Sequence, residues 1–325
     1  MAIRPGLDRL LERRENLKDR AVEEFDQGMR AVHENISRRI SAACGFDPDL
    51  VFPPDGDDGT RVGRTPLEER LEALDDFAQR RAATLLTTLA EVEELLEASG
   101  LDKVRSSLRD TVGTLAGLAE NTFTAQGVSG GAGALDTIAA EARLGGWFET
   151  AINEGLLGAH GRTQALKIKE ALSASLGFKP VKELAQNLAA EMDASLPQRL
   201  TEARTRMAQA DRVAHQIITE TLEEDGDEFL IGYTGPPAND KAIRPFCSVL
   251  TGKAFTKEQV ASLDNGQTSI TVAIAGGGYN CRHNLVPVLA DEETLQDLGL
   301  ILGTDEDIDE ANGAAAKARK RKGRK

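Results

Sequence analysis

Cys247, Cys281 and His283 are the residues of this chain whose types and spacing could hold a metal or run thiol chemistry. Cys281 and His283 stand two apart in the string Gly276-Gly277-Gly278-Tyr279-Asn280-Cys281-Arg282-His283, so an extended backbone points both side chains to one side. Cys247 follows the Arg244-Pro245 turn and offers a third soft ligand. A structural zinc takes four ligands, and Asp240, His215 or Cys44 could supply the fourth; zinc bound here would be structural before it was catalytic. The same residues also allow a thiol enzyme, with Cys247 as nucleophile, His283 as base and Asp240 orienting the base. The plainer alternative is two small buried cysteines and a hydrogen-bonded histidine in a compact β core. Arg244 and Arg282 are suited to a phosphate or carboxylate, or to an internal pair with Asp240.

The elements that must position these residues are mostly helices. Aromatic residues make up only 4% of the 325-residue chain, and Ala, Leu, Glu and Arg dominate it. Val22, Phe25, Met29, Val32, Ile36 and Ile40 recur at three- and four-residue steps, which predicts one long amphipathic helix over Leu7 to Ala43. Asp47 to Gly63 reads as an acidic loop, and Thr65-Pro66-Leu67-Glu68 as a capped helix start. Leu101, Val104, Leu108, Val112 and Leu115 mark the next helix, paired antiparallel with the one from Thr65. Gly127 to Gly133 lacks a preceding strand and predicts a flexible hinge rather than a phosphate cradle. Helices are expected over Asp136 to Ala159, with Trp147-Phe148 as a packing anchor, and over Arg162 to Ser175, Val181 to Leu196 and, after Pro197, on to Glu224. Glu228 to Tyr233 and Ser269 to Ile274 have the β-branched density of strands, and Thr256 caps a short helix ending at Leu263.

The expected fold class is therefore mainly α: a long-helix N-terminal region, a small α+β C-terminal domain carrying the one sheet, and a disordered basic tail. The expected divisions are residues 1–195, with hinges near 45–64 and 126–134, then 196–300, then an acidic and finally basic tail over 301–325. The formal charge is −14 even though seven of the last nine residues are basic, so body and tail differ in sign. Lys317, Arg319, Lys320, Arg321, Lys322, Arg324 and Lys325 form a candidate nucleic-acid contact, which the acidic block from Asp305 to Glu310 could instead hold by charge pairing. Three scattered cysteines and the absence of an apolar leader or an apolar run of about 18 residues point to a protein made in a reducing cytoplasm, with no membrane association.

One set of residues goes further. Thr219-Glu220, Tyr233, Gly235-Pro236, Asp240, Arg244, Cys247, Leu250, Gly252-Lys253, Thr256, Glu258, Tyr279-Asn280-Cys281-Arg282-His283 and Pro287 together resemble the C-terminal domain of phage head morphogenesis proteins, the minor head proteins similar to the F protein of phage Mu. The resemblance covers roughly residues 200–290. It departs from the family pattern in ending Cys281-Arg282-His283, where many members have Cys-Arg-Cys, and in the extra Pro237-Ala238-Asn239. It implies a structural protein of a tailed bacteriophage, located in the head interior or at the portal vertex after assembly in the host cytoplasm. It also implies the portal, major capsid or scaffold protein as partners, and makes Asp240, Arg244, Tyr279 and Arg282 structural motif residues with no catalytic role. Packaged DNA is a partner that the basic tail suggests, and self-association is one that the long helices suggest. No cofactor is expected apart from the structural zinc. The competing expectation is a zinc- or thiol-dependent enzyme, a hydrolase or toxin-like transferase, on the C-terminal domain.

Overall fold

The computed structural model describes residues 5–43, 94, 96–175, 194–223, 228–235 and 243–322. The elements in chain order are α1 (Pro5–Ala43), α2 (Asp102–Ala125), α3 (Ile138–Trp147), a wider π-helical stretch (Phe148–Gly158), α4 (Ala159–Ser175), α5 (Leu196–Glu223) and β1 (Phe229–Thr234). They continue with α6 (Pro245–Leu250), β2 (Lys253–Phe255), α7 (Lys257–Ala261), α8 (Val272–Ala275), β3 (Asn284–Leu289), α9 (Glu292–Asp297), β4 (Ile301–Leu302) and α10 (Asp305–Lys322). The fold is mainly helical with one small four-stranded sheet near the C-terminus, as expected. Among the described residues, no helix is long and apolar enough to cross a membrane.

The chain divides into two compact units, one made of Met1–Phe25, Arg105–Leu156 and Gln198–Lys325, the other of Asp26–Val104 and Leu157–Pro197. In the first, α2 and α5 bury an apolar cluster that includes Ala119, Phe123, Ala214, Ile217, Ile218 and Phe229. Phe123 meets Phe229 edge-on, with centroids 5.4 Å apart. This is the arrangement that the ring quadrupoles favour. Pro197 falls in the first turn of α5, where the missing N–H breaks no helical hydrogen bond.

The expected glycine hinge is a set of tight turns closed onto this core. Gly127, Gly130 and Gly133 take positive φ, while Val128, Ala134 and Leu135 are buried. Gln126 adds a tie: its side-chain amide donates to the Pro287 carbonyl and accepts from the Leu289 N–H. These are the outward-facing backbone groups of β3, an edge strand, so the glutamine satisfies what would otherwise be an open ladder.

The sheet order is β3-β1-β2-β4. β1 pairs antiparallel with β3 (Tyr233 opposite Leu285) and with β2 (Ile231 opposite Phe255), and β4 joins β2 in parallel. Gly232 sits where a Cβ would lie 2.7 Å from Leu300, so only a glycine lets that leucine pack on the strand. Thr256 caps α7 with a reciprocal bond to Gln259, as its position predicts.

Two expectations fail here. Ser269 to Ile274 is not a strand: turns lead into α8, which buries Val272 and Ala275 at helical spacing. Both sides of β1 are already occupied by β2 and β3, so the β-branched run finds no edge of β1 to join. The tail is also not disordered up to Lys322; it is the helix α10. Thr304 and Asp307 exchange capping bonds at its start, Asp305, Glu306 and Asp307 favour the positive end of its dipole, and alanines carry its length. Ile308, Ala311 and Ala315 are buried along one side of it, in the cluster that also holds Phe246, Cys247 and Leu250 of α6.

In the second unit, Met29, Val32 and Ile36 of α1 are buried, as are Leu96, Leu101, Val104, Leu157 and Ile168. Gly28 packs against Val104, whose methyl would lie 2.7 Å from a Cβ there. His33 and His160 are buried with stacked rings 5.7 Å apart. On the exposed side of α1, Arg20–Glu24, Arg30–Asp26 and Arg38–Glu34 pair one turn apart. The loop expected over 47–63, the helix start at Thr65-Pro66, the boundary at 176–180 and the helix from Val181 as far as residue 193 lie outside the described residues.

Candidate functional site

The three soft ligands come from two stretches that the sheet brings together. Arg244 and Pro245 start α6, placing Cys247 in its first turn with the side chain buried. Cys281 and His283 lie on the extended backbone that leads into β3, and their side chains face the same way, with Sγ to Nδ1 at 3.7 Å. The potential ligand atoms of Cys247, Cys281 and His283 all fall within 4.8 Å of one another. Neither cysteine is in a disulfide.

Tyr233, which the motif includes but which was not expected to join the ligand group, does so from β1. Its hydroxyl is 3.4 Å from the Cys247 sulfur and 3.8 Å from the Cys281 sulfur, and its ring packs 5.2 Å from that of His283. The turn Gly276–Gly278 closes over these atoms. The Gly277 N–H donates to Cys281 Sγ at 3.2 Å, and a Cβ at Gly277 would stand 2.1 Å from Cys247 Sγ. Gly277 is therefore required by space, the one glycine of its triplet whose φ is not positive.

Two arginines hold this turn by its carbonyls. Arg244 donates to the Gly277 oxygen at 3.1 Å and also to the Tyr279 oxygen. Arg212 of α5 donates to Ile274 O and His283 O at 2.9 and 2.7 Å. Asn280, at φ 55°, has its N–H bonded to Thr205 of α5. The signal for Arg244 was visible beside Pro245, whereas nothing around Arg212 distinguished it from the other arginines of α5.

The electrostatics divide the two thiols. Cys281 is held well below the usual thiol range by its hydrogen bond with Cys247, despite burial, with further help from His283 and Arg212. Cys247 is pushed up by that same bond, by burial and by the charge on Cys281. Burial, together with the two sulfurs, also raises Tyr233.

His215, one of the residues considered as a fourth ligand, is engaged elsewhere. Its Nδ1 lies 2.8 Å from the Asp211 carbonyl and 3.1 Å from Arg14. Asp240 and Cys44 lie outside the described residues. Of the motif residues, Tyr279 and Arg282 are exposed side chains, and Arg244 acts on backbone carbonyls. Cys247, Cys281 and His283 are all buried, and a cleft of about 350 Å³ lined by Glu12, Glu15, Thr234, Gly235 and Asn284, among others, includes none of them. On α10, Lys317, Arg319 and Lys320 are exposed; Arg321 and Lys322 continue the helix, and Arg324 and Lys325 lie outside the described residues. Within the acidic block, Asp307 pairs with Lys253 at 2.6 Å and Asp305 accepts from Gln259, while Glu306, Asp309 and Glu310 are exposed.

Compared with protein-family models, curated proteins and solved structures, the chain matches none of them.

Proposed function

We propose that this chain is a structural minor head protein of a tailed bacteriophage, resident in the head interior or at the portal vertex, where it acts in head assembly or in DNA packaging and ejection. One observation carries the reading. Of the positions that bear the resemblance, Tyr233, Cys247, Leu250, Cys281 and His283 are buried, and four of them, all but Leu250, make one contact group. Gly235 packs against His283, and Thr256 and Lys253 fix the adjoining helices by a cap and an ion pair. Residues spread over some fifty positions pack into one buried group, which supports taking them as a structural signature.

The exposed basic face of α10 supplies a contact for packaged DNA, and the portal, major capsid or scaffold protein is the protein partner. Co-expression with a portal protein from a tailed phage that carries this chain, followed by gel filtration, tests the reading. The expected result is co-elution with the portal ring. Separate elution from portal, capsid and scaffold proteins alike would contradict it, and would favour a C-terminal enzyme.

A further inference from the structure

We propose that Cys247, Cys281 and His283 hold one zinc ion, with the Tyr233 hydroxyl at the fourth corner. The site rests on geometry and is independent of the virion reading. With Zn–S near 2.3 Å and Zn–N near 2.0–2.1 Å, a tetrahedral site places neighbouring ligand atoms about 3.6–3.8 Å apart. The Cys281 sulfur and His283 Nδ1 stand at 3.7 Å. The Tyr233 oxygen stands at 3.4 Å from one sulfur and 3.8 Å from the other. Three of the separations among the four donors thus approach those a single small cation imposes, and the ligand atoms of Cys247, Cys281 and His283 all lie within 4.8 Å of one another, in a buried space bounded by Gly277.

His283 gives the second, independent sign. It is 3% exposed, and its Nε2 has no hydrogen-bond partner among the described residues. Its Nδ1 has only the long approach to a sulfur. Buried polar groups are nearly always paired, so an imidazole in this position lacks a strong partner. A cation between Nδ1 and the two sulfurs would give Nδ1 a strong partner in place of that long approach, while Nε2 stays outside the site. The surroundings suit it as well: the Gly277 N–H already points at the Cys281 sulfur, the kind of outer contact that orients thiolate ligands, and Arg212 fixes the His283 carbonyl. Two sulfurs and an imidazole favour zinc over hard cations such as magnesium or calcium.

The test uses the full chain purified without chelator or added metal. Elemental analysis is expected to find about one zinc per chain. Cobalt substituted for zinc should give a near-ultraviolet thiolate-to-cobalt charge-transfer band, weakened in Cys281→Ser and in Cys247→Ser and lost when both cysteines are changed. Tyr233→Phe should stay loaded at saturating zinc but bind it about 10- to 100-fold more weakly. Circular dichroism identifies any variant that fails to fold, in which case the wild-type cobalt spectrum decides. Zinc far below one per chain with no cobalt band, or a Cys247–Cys281 disulfide found by mass under non-reducing conditions, would overturn the site. Unchanged zinc affinity in Tyr233→Phe would remove Tyr233 from it.

Discussion

Arg14 and Asp211, 197 positions apart in the chain, form a two-bonded ion pair at 2.9 and 2.5 Å with both side chains fully buried. Lys18 stands 3.7 Å from the same carboxylate and donates to Asn284 at 2.9 Å, joining α1 and α5 to the strand that leaves the Cys281–His283 stretch. Breaking such a pair on one side strands a charge in a medium that solvates it poorly. Asp211→Ala should therefore cost about 3–5 kcal/mol in denaturant unfolding. Replacing both partners, as in Arg14→Met with Asp211→Leu, should recover much of that loss. If both variants lose the same stability, the pair is not what sets the cost.

Acid should loosen the same contact. Burial raises the Asp211 carboxyl, but Arg14 and Lys18 overcome this and hold it below its ordinary 3.8, so its contribution is present at neutral pH and lost as pH falls below that value. His215 is pushed down to about 3 by burial and by Arg14. The unfolded histidine takes up its proton near 6.5, so the His215 share is full above that pH and declines as pH falls toward 3. Stability measured across pH 7 to 4 should therefore fall on the acid side, and His215→Gln should flatten that slope. An unchanged slope in the variant would assign the acid sensitivity to other groups.

Gly277 makes the case for close packing over backbone freedom. Gly277→Ala would drive a methyl into Cys247, and overpacking of this kind costs about 1–3 kcal/mol. Adding Cys247→Ala removes the sulfur, so the double variant should be more stable than the sum of the two single effects predicts. Strict additivity in thermal unfolding would show that the turn avoids the sulfur by moving.

The basic end of α10 is open to a direct test on duplex DNA. Each phosphate neutralised contributes about −0.9 to the slope of log affinity against log salt. Changing Lys317, Arg319 and Lys320 together to Gln should make that slope shallower by about 3 × 0.9 if all three reach phosphates. No change in slope or affinity would free this helix for a protein partner instead.

Much of this architecture was legible in the sequence where a local pattern carries the information. Val22, Phe25, Met29, Val32 and Ile36 recur at helical steps, and α1 buries every one of them. Cys281 and His283 share a side because extended backbone alternates, and the structure keeps them so. What stayed hidden depends on distant partners. Nothing in the sequence sets Arg14 and Lys18 apart from the other charges of α1, yet they lie on its buried side, where Asp211 meets them. Tyr233 joined the ligand cluster through strand pairing that no spacing reveals, and Gln126 closes a sheet edge 161 positions away. The run Ser269 to Ile274 had strand composition and became turns and a short helix, because strand formation is decided by an available edge as much as by residue type.

Mass spectrometry of purified, nuclease-treated phage particles tests the central claim most directly. Peptides from this chain should be found in intact virions at a low copy number relative to the major capsid protein and should persist through density-gradient purification. Their absence from particles, with the chain abundant in the infected-cell lysate, would contradict a role in the head.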